Sequence, residues 1–213
     1  MNRQAASASP GLGSPLTALK GVGPALAEKL ARLGADTVED LLFLLPLRYE
    51  DRTRVTRIGS ARHGERVLVA GDILLAETVY RGRRALLVRM ADGSGQLTLR
   101  FFHFSRSQQA RLARGSRIAC YGEVRPGPTG KEMVHPEYRL LGADEPVPVE
   151  DRLTPVYPTT EGVQQGRLRR LVAEALDLLR REAPTELVPR QVLERTDLPT
   201  LTEAVEYLHR PPR

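Results

Sequence analysis

A chain of 213 residues, 41% hydrophobic and 27% charged, is long enough for one large domain or two small ones and has ordinary globular composition. Its 32 basic and 26 acidic residues leave a formal charge of +6, and no apolar run approaches the roughly 18 residues that a membrane span requires. Residues 1–14 carry one cation, Arg3, and no apolar core, so they are not a secretory signal.

The lone Cys120 excludes an internal disulfide and a cysteine-built zinc site, which fits a reducing, cytoplasmic home. Lysine occurs only at positions 20, 29 and 131, so 29 of the 32 cations are arginine. Arginine is a planar, permanently charged group suited to phosphate, which makes a polyanion the first partner to consider. Codon bias and solubility are the bland alternative, and position along the chain has to separate the two.

Residues 1–14 are small and polar and read as a disordered tail. Residues 15–60 read as a helical segment. Leu26, Leu30 and Leu33 recur at helical spacing before Gly34. Thr37 then stands where a cap belongs, ahead of Val38, Leu41, Leu42 and Leu45, and Pro46 ends the run. From 48 to 57 the chain is charged and irregular, with no predicted element. Between 61 and 142 the period becomes alternating. Strands are predicted over 66–80, with a bend at Gly71, 83–90, 96–104, 117–124 and 132–141. Asp92-Gly93-Ser94-Gly95 forms a hairpin turn, and a short helix spans 107–113.

Three meandering strands, a helix and two further strands are the order of a five-stranded OB-fold β-barrel, a fold that binds oligonucleotides across its second and third strands and adjoining loops. Residues 143–162, rich in proline and acid, read as a linker. In 163–213, Leu168, Leu171, Val172, Ala175 and Leu179 stripe one helix, and a second spans 201–208 behind Thr200 or Thr202. The expected class is α+β: an OB barrel flanked by N-terminal and C-terminal helices.

The 97–104 stretch is the most informative. Alternation puts Leu97, Leu99 and Phe101 on one face, and Thr98, Arg100, Phe102 and Phe104 on the other. Exposed rings beside a guanidinium are what base stacking with phosphate attraction requires, so Phe102 is the leading candidate, whereas Phe104 reads as packing. Tyr80-Arg81-Gly82-Arg83-Arg84 forms a basic, aromatic turn at the first hairpin, either a seat for phosphates or a solvated tip. Arg125 and Lys131 border the last loop. Together with Arg100 and Arg106, these cations (Arg81, Arg83, Arg84, Arg125, Lys131) are the expected phosphate contacts, and Tyr80 is a further stacking candidate. Residues 62–139 hold 14 basic and 7 acidic residues, a surplus equal to seven, so position favours a nucleic acid over codon bias. Gly21-Val22-Gly23 resembles a helix-hairpin-helix turn, whose exposed N–H groups would seat phosphate; a plain structural turn explains it as well.

Catalytic constellations fail. His63, His103, His135 and His209 lack metal-ligand spacing, Gly93-Ser94-Gly95 is no nucleophile elbow, and no phosphate-cradling G-x-x-x-x-G-K-[ST] loop occurs. No metal and no cofactor are expected in this chain.

From about Pro15 to Pro212 the sequence closely resembles the N-terminal, wedge-bearing portion of the RecG family of bacterial ATP-dependent DNA helicases. Beside the Gly21 turn, the resemblance rests on Leu45-Pro46-Leu47-Arg48-Tyr49-Glu50-Asp51-Arg52, Asp92-Gly93-Ser94-Gly95 and Arg100-Phe101-Phe102-His103-Phe104. It continues through His135-Pro136-Glu137-Tyr138, the 153–162 stretch and Leu208-His209-Arg210-Pro211-Pro212. It implies a motor that reverses stalled replication forks and branch-migrates Holliday junctions in DNA repair and recombination. In that family an OB-fold wedge splits the strands at the branch and stacks aromatic rings on bases, a role that falls on Phe101 and Phe102. Helicase lobes binding ATP and Mg²⁺ follow in the family and are the wedge's intramolecular partners. Without them the chain is expected to bind and distort branched DNA but not to hydrolyse ATP. A scaffold barrel docking protein, or a standalone single-strand binder, is the alternative.

Overall fold

The computed structural model describes residues 10–80, 84–182 and 184–212. After a 3-10 turn at Leu16–Ala18 the chain forms α1 (Pro24–Ala31), α2 (Val38–Phe43), β1 (Arg48–Glu50), β2 (Arg66–Val79), β3 (Ala85–Ala91), β4 (Gln96–Phe101) and α3 (Arg106–Arg111). It continues with β5 (Arg117–Glu123), β6 (Arg125–Gly127), β7 (Gly130–Val134), β8 (Glu137–Leu141) and β9 (Thr154–Val156), then α4 (Gln165–Glu182), α5 (Arg190–Thr196) and α6 (Leu201–His209). Two units emerge: residues up to Glu50 together with Leu153–Pro212, and Asp51–Arg152.

The helical unit draws on both ends of the chain. Thr37 caps α2 in a reciprocal box with Asp40, and Thr200 caps α6 in the same way with Glu203, each closing two orphan N–H groups. The α4 stripe of Leu168, Leu171, Val172, Ala175 and Leu179 is buried with Leu30, Leu41 and Leu42. Leu12 joins that core, and its N–H donates to the Glu182 carboxylate; the end of the segment read as a tail is therefore packed. The stretch read as irregular and the one read as a linker supply β1 and β9, which pair antiparallel. His209 is 2% exposed. Its Nε2 donates to the Leu42 carbonyl at 2.9 Å, so Nδ1 is bare and accepts the Tyr157 hydroxyl at 2.9 Å. Burial lowers the His209 pKa and raises that of Tyr157, which keeps both neutral.

The second unit is a seven-stranded mixed sheet in the order β6-β7-β4-β3-β2-β5-β8. It has the OB-like strand order, with two departures from five strands. The predicted 132–141 strand breaks at His135-Pro136, where His135 takes a left-handed φ of 47°. Its first half, β7, pairs parallel with β4, and its second half, β8, pairs antiparallel with β5. The break lets one strand serve both flanks of the sheet, and β6 pairs with β7 as a short addition. At Gly71 a Cβ would lie 2.2 Å from the Ala91 carbonyl oxygen, so only glycine admits the close approach of β2 and β3 beside the register shift at Ile73/Leu75. Val69, Ile73, Leu86, Val88, Leu97, Leu99 and Phe101 fill the interior.

Two sequence motifs are joints of this unit. Asp92 accepts from Ser94 N (2.9 Å), Ser94 Oγ (2.7 Å), Gly95 N (3.1 Å) and Ile58 N (2.8 Å), tying the β3–β4 turn to the 58–59 segment. Arg52 lies 3.9 Å above the Tyr121 ring and donates two 2.8 Å bonds to Glu137, which fastens the start of the unit to β5 and β8.

Candidate nucleic-acid interface

The outer faces of β2, β3 and β4 form the floor of a groove of ≈ 550 Å³, walled by Phe102 and by Pro128 and Thr129 of the β6–β7 turn. Two cross-strand rows make the floor: Leu75–Arg89–Thr98 and Glu77–Leu87–Arg100. Its volume is in the range of ligand-binding pockets, about 300–1,000 Å³, and it lies where OB folds take oligonucleotides. Thr98 is 7% exposed, because its hydroxyl meets that of Thr129 at 3.3 Å and the turn roofs that end.

Phe102 is half-buried and follows the last β4 residue, so its ring stands at the groove's rim. The Arg100 guanidinium is 5.9 Å from its centroid. Phe101, the other ring implied by the resemblance, is 3% exposed and meets Tyr138 edge-on at 5.6 Å. It belongs to the core, as inward alternation requires, and offers no face to a base. Phe104 packs on the same core with Arg84 4.4 Å above its ring.

The expected phosphate contacts divide into separate groups. Arg81 and Arg83 lie outside the described residues. Arg84 and Arg106 are exposed, and Tyr80 is 74% exposed at the end of β2. Three others are engaged within the fold. Arg100 donates to both Glu132 oxygens at 2.8 and 2.6 Å, an interaction that raises its pKa. Arg125 pairs with Glu123, and the Lys131 ammonium donates to the carbonyls of Ile58 and Gly59, both at 2.7 Å. The net charge of this unit therefore overstates what is available to a ligand. Residue-by-residue reading passed over Arg89, which sits mid-floor; among the described residues it has no ion pair. Its signal was present, since alternation along 85–91 puts Leu87 and Arg89 on the face opposite Leu86, Val88 and Met90.

At the Gly21 turn the glycine has φ 81°, Gly23 caps α1 with Pro24 at its first position, and Arg167 donates to the Gly21 carbonyl. Among the described residues no group of His, Cys, Asp and Glu side chains could hold a metal ion, and no helix is long and apolar enough to cross a membrane.

A groove on the OB-like sheet, rimmed by the last ring of an Arg-Phe-Phe run, is the arrangement the family resemblance implies. The family model described as the RecG wedge domain matches residues 15–179. The chain belongs to the RecG wedge domain family. It is 48% identical over 198 residues to the ATP-dependent DNA helicase RecG of Escherichia coli strain K12, a match covering 93% of this chain and 28% of that protein. To the RecG of Thermotoga maritima it is 29% identical over 195 residues. A solved structure of RecG bound to a three-way DNA junction superposes with a TM-score of 0.74 at 29% identity, covering 94% of this chain and 27% of that one. The chain thus spans about a quarter of the length of these RecG relatives.

Proposed function

We propose that this RecG wedge domain binds branched DNA where strands diverge, laying an unpaired strand along the β2–β3–β4 groove and stacking a base on Phe102. The observation that carries this reading is the half-exposed Phe102 ring at the rim of an OB-type groove whose floor holds Arg89. The similar RecG structure bound to a three-way junction supports the choice of branched DNA. In this reading, fork reversal, Holliday-junction branch migration, ATP hydrolysis and its Mg²⁺ belong to the longer RecG protein, whose helicase lobes are the wedge's partners. This chain alone contributes binding and strand separation, and it works among nucleic acids in the cytoplasm.

The scaffold alternative needs Phe102 and Phe104 sealed beneath the 168–179 helix, yet that helix's apolar stripe is buried within the helical unit's own core. A side-by-side titration against a three-way junction, linear single strand and linear duplex tests the reading. Preference for the junction is the expected result. Equal affinity for single strand and junction would make the chain a general single-strand binder, and binding to none of them would leave the scaffold.

A further inference from the structure

His103 and His135 come from two motifs 32 residues apart, and the structure brings them together behind Phe102. The Phe102 N–H donates to His135 Nε2 at 3.2 Å. A backbone N–H can only donate, so this nitrogen must be bare and the imidazole neutral. The His135 ring lies 5.7 Å from Phe102, 6.0 Å edge-on to Phe101, and stacked on His103 at 5.9 Å with planes 19° apart. The His135 backbone N–H donates to the Arg100 carbonyl at 2.9 Å, and its backbone is held at φ 47°, a region uncommon outside glycine in which asparagine, aspartate and histidine are the enriched exceptions. One residue at the break between β7 and β8 thus fixes the backbone on both sides of Phe101.

We propose that His135 is a positioning residue for Phe102: its neutral ring holds the Phe102 backbone so that the phenyl group stands at the groove's rim, and protonation releases it. This rests on the branch-binding reading above and adds a proton-sensitive step to it. The groups around the imidazole are few. From the β4 end come His103 and Arg100, the latter held by Glu132 of β7. From β8 come Tyr138 and Glu137, the latter paired with Arg52, while β5 presents uncharged Gly122 against Pro136. Partial burial, and then the neighbouring His103, lower the His135 pKa, so the neutral state prevails at neutral pH.

The test places 2-aminopurine at the unpaired position of a three-way junction and reads its quenching by a stacked ring. Affinity alone would mislead, because protonated histidines also attract phosphate. His135→Gly keeps the left-handed backbone without the ring and should lose the quench. Its junction affinity should match that of Phe102→Ala within about twofold, with no further loss in the double variant, as coupled residues require. His135→Asn tolerates the backbone and offers an acceptor to the Phe102 N–H, so it should restore the quench and make it independent of pH. In the parent the quench should fade as pH falls below the ordinary histidine range, and His103→Ala should move that fade to higher pH. Full quenching in His135→Gly, or a parent-like pH profile in His135→Asn, would overturn the proposal. Parent-like quenching in Phe102→Ala would instead overturn the branch-binding reading itself.

Discussion

Two arginines on the floor of one groove should respond to salt in different ways. Arg100 already donates two bonds to Glu132, so its charge is balanced and a phosphate arriving there releases little. Among the described residues Arg89 has no ion pair, and Glu77, the one carboxylate among the described lining residues, does not reach it within ion-pair distance. Each phosphate neutralised on a single strand adds about 0.7 to the slope of log Kobs against log salt. Between about 50 and 200 mM salt, the Arg89 contact alone therefore changes affinity by about 2.6-fold. Fluorescence anisotropy with a labelled junction over that range should give Arg89→Ala a slope shallower by about 0.7. Arg100→Ala should keep the parent slope while losing stability, because Glu132, 8% exposed, is left without its partner. An unchanged slope for Arg89→Ala, or equal losses of slope in both variants, would refute the assignment of charge.

Asp92→Ala removes an acceptor of four hydrogen bonds and should cost about 2–3 kcal/mol in urea unfolding. Burial opposes ionisation of Asp92, but bonds from Ser94, Ile58 and Gly95 outweigh it and lower its pKa. That stabilisation is present above about pH 4 and is lost as pH falls through the lowered folded value, so the variant should show a flatter acid limb. Phe101→Ala opens a cavity among Leu99, Met133 and Tyr138 and should destabilise the fold by about 3–5 kcal/mol, a loss visible in thermal melts without any DNA. Tyr157→Phe leaves His209 Nδ1 unpaired and should cost about 1–3 kcal/mol. Because burial lowers the His209 pKa, its contribution is complete above about pH 6.5 and declines as pH falls. Melts across that window should show the decline in the parent and its absence in His209→Gln.

Strand order was legible because alternation and turn residues are local signals, and Phe101 and Phe102 parted to opposite faces as period two demands. What escaped the sequence depends on distant partners. The β1–β9 pair joins segments about a hundred residues apart, and each is three residues long, too short to show a period. The break in the fifth strand needed His135 at positive φ, a conformation that histidine adopts more readily than most residues but still seldom, and that no turn residue such as Gly or Asn marks in the sequence. The count of arginines pointed to polyanions, but whether each cation is available depends on register: Arg100 meets Glu132 only because β7 runs parallel to β4. Arg89 was within reach of the same alternation that found Phe102, and was passed over because it stands alone among aliphatic residues instead of in a basic cluster.

The claim that a phenyl ring on this sheet meets a base at the branch is tested most directly by titrating Phe102→Ala against a three-way junction and a linear duplex. The junction should lose about 1–3 kcal/mol of binding free energy, the worth of one stacked base, while duplex binding and the far-ultraviolet spectrum stay as in the parent. Undiminished junction affinity in a correctly folded variant would contradict the account.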